Sequence, residues 1–216
     1  MNRKYLFFDL DGTLTDSMPG ITRGVQYALA HLGIEVDDLK TLLPFIGPPL
    51  RDSFRVYYGL DEARIDLAVS KYREYYEPRG LFENAPYEGI PELLQELQSA
   101  GFRLVMATSK PEHLARRIAS HFGFADRFAH IAGSAADGSR DSKADVIRHA
   151  IRTLGIADRR EAVMIGDRRH DIEGAAAAGV DAIGVLWGYG SRDELLTAGA
   201  HTLAADLGEL RRLLLG

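Results

Sequence analysis

The chain has 216 residues, 46% of them hydrophobic, with 26 Lys and Arg against 31 Asp and Glu and a formal net charge of −5. That length can bury a sizeable core in one domain with an insertion or in two small domains. The two signs of charge are interspersed, with no basic stripe for a nucleic acid polymer. The absence of cysteine excludes a disulfide framework and a thiolate metal site, leaving the cytoplasm as the default expectation.

Residues 4–8 (KYLFF) form an apolar, β-favouring run that ends at Asp9. It is too short for a signal-peptide core or a membrane span, so no membrane partner is expected. Asp9 and Asp11 follow, then Gly12 and Thr13. In extended backbone i and i+2 point the same way, so both acids are expected to leave the strand toward one spot. Two anions there need a cation or a proton. Gly12 supplies backbone freedom where a ligand comes close. An EF-hand loop is excluded, because it needs its glycine sixth, and here glycine is fourth from Asp9.

Residues 17–86 break the pattern of a strand protein. Residues 20–32, 50–58 and 61–76 have the spacing of amphipathic helices, with no convincing strand among them. This block is expected to be an all-helical cap inserted after the first strand, leaving residues 1–16 and 87–216 as the core. From residue 87 strands and helices alternate. Residues 91–100 read as a helix stopped by Gly101, and 103–108 as a strand. Ser109 and Glu112 fit a capping box for a helix to about residue 122. Residues 129–132 read as a strand, 133–141 as a polar loop, and 145–154 as a helix closed by Gly155. Residues 162–165 read as a strand, 171–178 as a helix closed by Gly179, and 182–186 as a strand. Such alternation predicts an α/β fold, a doubly wound parallel sheet with ligands at the carboxyl ends of its strands.

Four groups of residues carry candidate chemistry. Asp9 and Asp11 are the first. Thr108 and Ser109, between a strand and a helix, are placed to hold an anion such as phosphate; alone, Thr108 reads as a helix cap. Lys143, a cation where a helix begins, opposes the macrodipole and so invites a bound anion; alone, it reads as a solvated surface lysine. Asp167 and Asp171, in GDRRHD after an apolar run, are spaced i and i+4 and can join a metal site. Arg51 in GPPLRD could reach an anionic substrate. His170 reads as a helix-surface residue, and residues 187–190 (WGYG) as a cleft rim or a purely structural turn.

In that order, DLDGTLTDS, Thr108-Ser109, Lys143 and GDRRHD resemble the four motifs of the haloacid-dehalogenase superfamily of aspartate-nucleophile phosphatases, over essentially the whole length. IGDRRHDIEGAAAAGVDAIGVLWGYGS and FIGPPLRDSF are most similar to the phosphoglycolate-phosphatase and 5′-nucleotidase group. Ala144 and the pair Arg168-Arg169 depart from the common pattern without removing a reacting group. The resemblance implies a Rossmann-like core and a Mg²⁺-dependent phosphate monoester hydrolase acting on a small phosphorylated metabolite, as monomer or homodimer. It implies Asp9 as nucleophile and Asp11 as general acid and base. Mg²⁺ would lie on Asp9, Asp11 (through its carbonyl), Asp167 and Asp171, with Thr108, Ser109 and Lys143 around the phosphoryl group. A phosphosugar mutase of the same fold, or a non-catalytic phospho-ligand-binding protein, is the competing reading.

Overall fold

The computed structural model describes residues 3–135 and 137–216. In chain order its elements are β1 (Tyr5–Phe8), β2 (Thr15–Asp16), α1 (Met18–Ala30), α2 (Leu50–Tyr58), α3 (Glu62–Tyr75), β3 (Ala85–Pro86), α4 (Ile90–Ser99), β4 (Arg103–Pro111) and α5 (Glu112–His121). They continue with β5 (Phe128–Ser134), α6 (Lys143–Leu154), β6 (Ala162–Gly166), α7 (Arg169–Ala178), β7 (Asp181–Val185), α8 (Arg192–Thr197), β8 (Leu203–Ala204) and α9 (Leu207–Leu215). The chain divides into two compact units, Met1–Thr15 with Pro86–Gly216, and Asp16–Ala85. It crosses between them at β2 and β3, which form a two-stranded sheet.

The larger unit is built on a six-stranded parallel sheet in the order β5-β4-β1-β6-β7-β8. Strand β1 lies between β4 and β6, with Leu6 opposite Leu104 and Val163, and Phe7 opposite Val105 and Met164. Phe7 packs with Val146, Ile147, Met164 and Ala175 beneath α6 and α7. Leu6 and Phe8 point to the opposite face and are fully buried too. A strand covered on both faces has no reason to alternate with polar residues, which is why KYLFF reads as one continuous run. Helices α6 and α7 end at Gly155 and Gly179, both left-handed with φ of 64° and 73°. The chain runs from β1 through β4 to β5 on one side, then returns to β6 on the other. The crevice at the carboxyl end of β1 is therefore the topological switch point, where such sheets bind ligands.

Two expectations need correction. Strand β4 continues to Pro111 and α5 opens at Glu112 with Pro111 as its N-cap, so Ser109 and Glu112 form no capping box. Proline disfavours helical backbone in the residue before it, which keeps Lys110 extended and delays the helix. Beyond the elements read from the sequence, the alternation continues past residue 186 into α8, β8 and α9. Two residues of β8 are too few to show a period. The loop expected at 133–141 begins only after Ser134, and Ala136 lies outside the described residues.

The smaller unit is helical apart from the crossing strands. Asp61 caps α3 by accepting from Arg64 N–H at 2.9 Å, and Gly59 (φ 60°) closes α2. Phe45, in the 3₁₀ segment Leu39–Phe45, meets Phe54, Tyr57 and Tyr58 with ring centroids 5.1–6.0 Å apart. Arg51 on α2 pairs with Glu62 and Asp66 of α3. Among the described residues no helix is long and apolar enough to cross a membrane.

Candidate active site

The groups that could carry chemistry converge beyond the carboxyl ends of β1, β4 and β6. Asp9 follows β1; its N–H donates to Ile165 O at 2.9 Å, which ties the strand end to β6. The chain then turns around Leu10, whose carbonyl accepts from Leu14 N–H at 2.9 Å and Thr15 N–H at 3.0 Å. Gly12, at φ 84°, makes that turn possible. Because β1 ends at Phe8, the two-residue period no longer governs Asp9 and Asp11, and their carboxylates meet different lysines. Asp9 Oδ1 accepts from Leu10 N–H at 2.7 Å and pairs with Lys143 Nζ at 2.9 Å. Asp11 Oδ2 pairs with Lys110 Nζ at 3.0 Å, while its buried Oδ1 has no hydrogen-bond partner.

Lys143 is the first residue of α6 and is buried. Its Nζ reaches Asp9 Oδ1, Asp171 Oδ1 at 2.7 Å and Ala107 O at 3.1 Å. The sequence predicts a bound anion here; the partners within the fold are the protein's own carboxylates. Burial alone would lower its pKa, but Asp171 and Asp9 outweigh that and hold it well above the ordinary lysine value. Asp167 lies in the bend between β6 and α7 rather than on the helix, so helical spacing is not what unites it with Asp171. It is fully buried. Thr13 Oγ1 donates to its Oδ1 at 3.1 Å and Tyr189 N–H to its Oδ2 at 2.8 Å. Asp171, in the first turn of α7, accepts from Arg168 N–H at 3.0 Å. Thr108 is buried at the end of β4, its Oγ1 accepting from Lys110 N–H at 3.2 Å, and Ser109 beside it is half-buried.

Asp9, Asp167 and Asp171 each place one oxygen within 4.8 Å of the others, all three buried. Asp11 contributes no carboxylate oxygen to that group. Three formal negative charges face one ammonium there, an imbalance of two. Burial, then the charges of Asp171 and Asp9, push Asp167 up to about 8. Burial and Asp9 likewise raise Asp171, against the lowering effect of Lys143. An all-oxygen donor set with too little positive charge fits a hard divalent cation such as Mg²⁺. Bound metal requires these groups deprotonated. Apparent Mg²⁺ affinity is therefore expected to rise about tenfold per pH unit from pH 6 to 8, with protons released on binding. Calorimetric titrations in buffers of different ionisation enthalpy check this; pH-independent affinity would contradict it.

The region of the chain from residue 6 to 185 matches the family described as haloacid dehalogenase-like hydrolase. The chain belongs to that family. A 5′-nucleotidase of Pseudomonas aeruginosa is 51% identical over 209 residues, covering 97% of this chain and 94% of that protein. The tyrosine-protein kinase PtkA of Mycobacterium tuberculosis is 44% identical, covering 97% of this chain and 72% of the kinase. The crystal structure of a predicted phosphatase from Clostridium acetobutylicum superposes with a TM-score of 0.96 at 45% identity, covering 100% of this chain and 99% of that one.

Among the described residues, Lys110 is the buried charged group that the sequence did not reveal. The one local hint is the lysine-proline pair, which forces an extended residue at a strand end. Arg51 belongs to the other unit and is engaged there by Glu62 and Asp66. His170 is half-buried rather than on the surface, and burial holds it below the ordinary histidine value. The WGYG segment is no mere rim, since it binds both Asp167 and Thr13 (Trp187 Nε1–H to Thr13 O, 3.1 Å).

Proposed function

We propose that the protein is a Mg²⁺-dependent phosphate monoester hydrolase working through an aspartyl-phosphate on Asp9. The observation that carries this reading is the division of the two front acids. Asp9 sits with Asp167, Asp171 and Lys143 in a site with charge to spare for a cation, whereas Asp11 is held separately by Lys110. Asp9, Asp167 and Asp171 would hold Mg²⁺, with the Asp11 carbonyl as the further oxygen implied by the resemblance. Bound there, Mg²⁺ supplies positive charge to the phosphoryl oxygens.

Asp9 attacks phosphorus in line with the leaving alkoxide. Asp11 is the general acid: Lys110 engages Oδ2, and the unpartnered Oδ1 is the atom that would carry the proton. After the alkoxide leaves, the same oxygen takes a proton from the attacking water. Thr108 and Ser109 orient phosphoryl oxygens from the end of β4, and Lys143 steadies the charge on Asp9 and the transferring group. The helical unit is the natural source of substrate choice among small phosphorylated metabolites, including nucleoside 5′-monophosphates and phosphoglycolate. A phosphotransferase reading, in which a hydroxyl rather than water accepts the phosphoryl group, is favoured by the kinase name of one relative. The deciding experiment incubates purified protein with a panel of phosphate monoesters, with and without Mg²⁺. Mg²⁺-dependent release of inorganic phosphate supports hydrolysis; phosphoryl transfer to an added acceptor without release supports the transferase.

Two substitutions sharpen this. Asp11→Asn should cut turnover of alkyl phosphates by about 10³-fold or more, but allow slow phosphorylation by aryl phosphates, whose leaving groups need little protonation. Equal losses for both classes would give the acid role to another residue. Arg51→Ala should raise KM for nucleotides and other doubly charged esters far more than for a small aryl phosphate, since the exposed pairs to Glu62 and Asp66 hold the guanidinium only weakly. A KM change of the same size for every ester would remove Arg51 from substrate recognition.

A further inference from the structure

Asp167 is held by a segment more than twenty residues away. Tyr189 N–H bonds its Oδ2, and Trp187 Nε1–H bonds the carbonyl of Thr13, whose hydroxyl bonds Oδ1. Both oxygens are thereby fixed by neutral donors, and none of these bonds supplies positive charge. The two glycines of the segment press on the same residue. A Cβ on Gly188 would lie closer than 3.0 Å to Asp167 Cβ and Oδ2 and to the Gly12 carbonyl. A Cβ on Gly190 would lie that close to the Asp167 carbonyl oxygen. Gly12 likewise leaves no room for a Cβ beside the Asp167 carboxylate. Two glycines and two hydrogen bonds therefore border one carboxylate, and Gly190 lies against the backbone of the same residue.

We propose that residues 187–190 form a positioning clamp on Asp167 that sets the affinity of the site for Mg²⁺ and its preference for Mg²⁺ over Ca²⁺, an inference that rests on the metal-dependent reading above. Trp187, Gly188 and Gly190 are positioning residues, acting through Thr13 and Asp167. Mg²⁺ demands near-ideal octahedral oxygens, whereas Ca²⁺ accepts a larger and looser set. A carboxylate that cannot swing open serves the smaller ion. Partners that orient a ligand commonly contribute ten- to a hundredfold in metal affinity.

The test titrates MgCl₂ and CaCl₂ calorimetrically into the full chain without substrate, using wild type, Asp167→Asn, Trp187→Phe and Gly188→Ala. Wild type should bind Mg²⁺, and Asp167→Asn should abolish that binding. Trp187→Phe keeps the ring and loses the N–H; it should weaken Mg²⁺ about tenfold and Ca²⁺ less than about twofold. Gly188→Ala should weaken Mg²⁺ at least about a hundredfold. Should the alanine variant fail to fold, Trp187→Phe alone decides. Wild-type Mg²⁺ affinity in Trp187→Phe, or equal losses for the two ions, would overturn the clamp while leaving the metal site intact. Mg²⁺ binding that is absent from wild type or indifferent to Asp167→Asn would overturn both.

Discussion

Lys143→Ala is expected to lower kcat by on the order of a hundredfold or more for every phosphate ester. Removing an oriented charge at a reacting centre costs about 3 kcal/mol, and the phosphoryl group it serves is common to all substrates. The variant also leaves Asp9 and Asp171 buried without their ammonium, which now stands 2.9 and 2.7 Å from them. Breaking a buried pair by removing one partner costs about 3–5 kcal/mol. The metal-free variant should therefore melt several degrees lower, and saturating Mg²⁺ should recover part of that loss by neutralising the same carboxylates. Parallel kinetics on an aryl phosphate, an alkyl phosphate and a nucleotide, with melting curves in chelator and in Mg²⁺, check both halves. A loss confined to one substrate would move Lys143 from the reacting centre to substrate recognition.

Asp9→Asn should be the most damaging substitution, lowering turnover by on the order of 10⁴- to 10⁶-fold, because an amide cannot serve as the nucleophile. Its Oδ1 can still accept from Leu10 N–H and Lys143, so the fold should persist. The change also removes one of three mutually repelling carboxylates, so the metal-free variant should melt no lower than wild type. Stability retained with activity lost separates a chemical role from a structural one. An inactive variant that has also unfolded would leave the nucleophile's role unsupported.

The difference between what could be read in the sequence and what could not is one of range. Strand β1 was legible because burial on both faces of a parallel sheet writes an unbroken apolar run, and α6 and α7 because glycines close them. Asp9, Asp167 and Asp171 were legible because each follows such a run. Lys110 was not, because its partner Asp11 is far away in sequence and a strand-to-helix turn was expected where the following proline keeps the backbone extended. The indole bond from Trp187 to Thr13 joins residues 174 apart in sequence, and no local pattern encodes it. The helix-terminal lysine invited a bound anion, and nothing in its local sequence showed that its partners within the fold are a pair of aspartates.

Phosphorylation of Asp9 is tested most directly by rapid acid quenching of a single turnover with a ³²P-labelled aryl phosphate in Mg²⁺. The expected result is a transient, hydroxylamine-sensitive label on the protein, located by peptide mapping to Asp9, present in Asp11→Asn and absent from Asp9→Asn. Phosphate released in the first turnover with no labelled protein, or a label on any other residue, would contradict it.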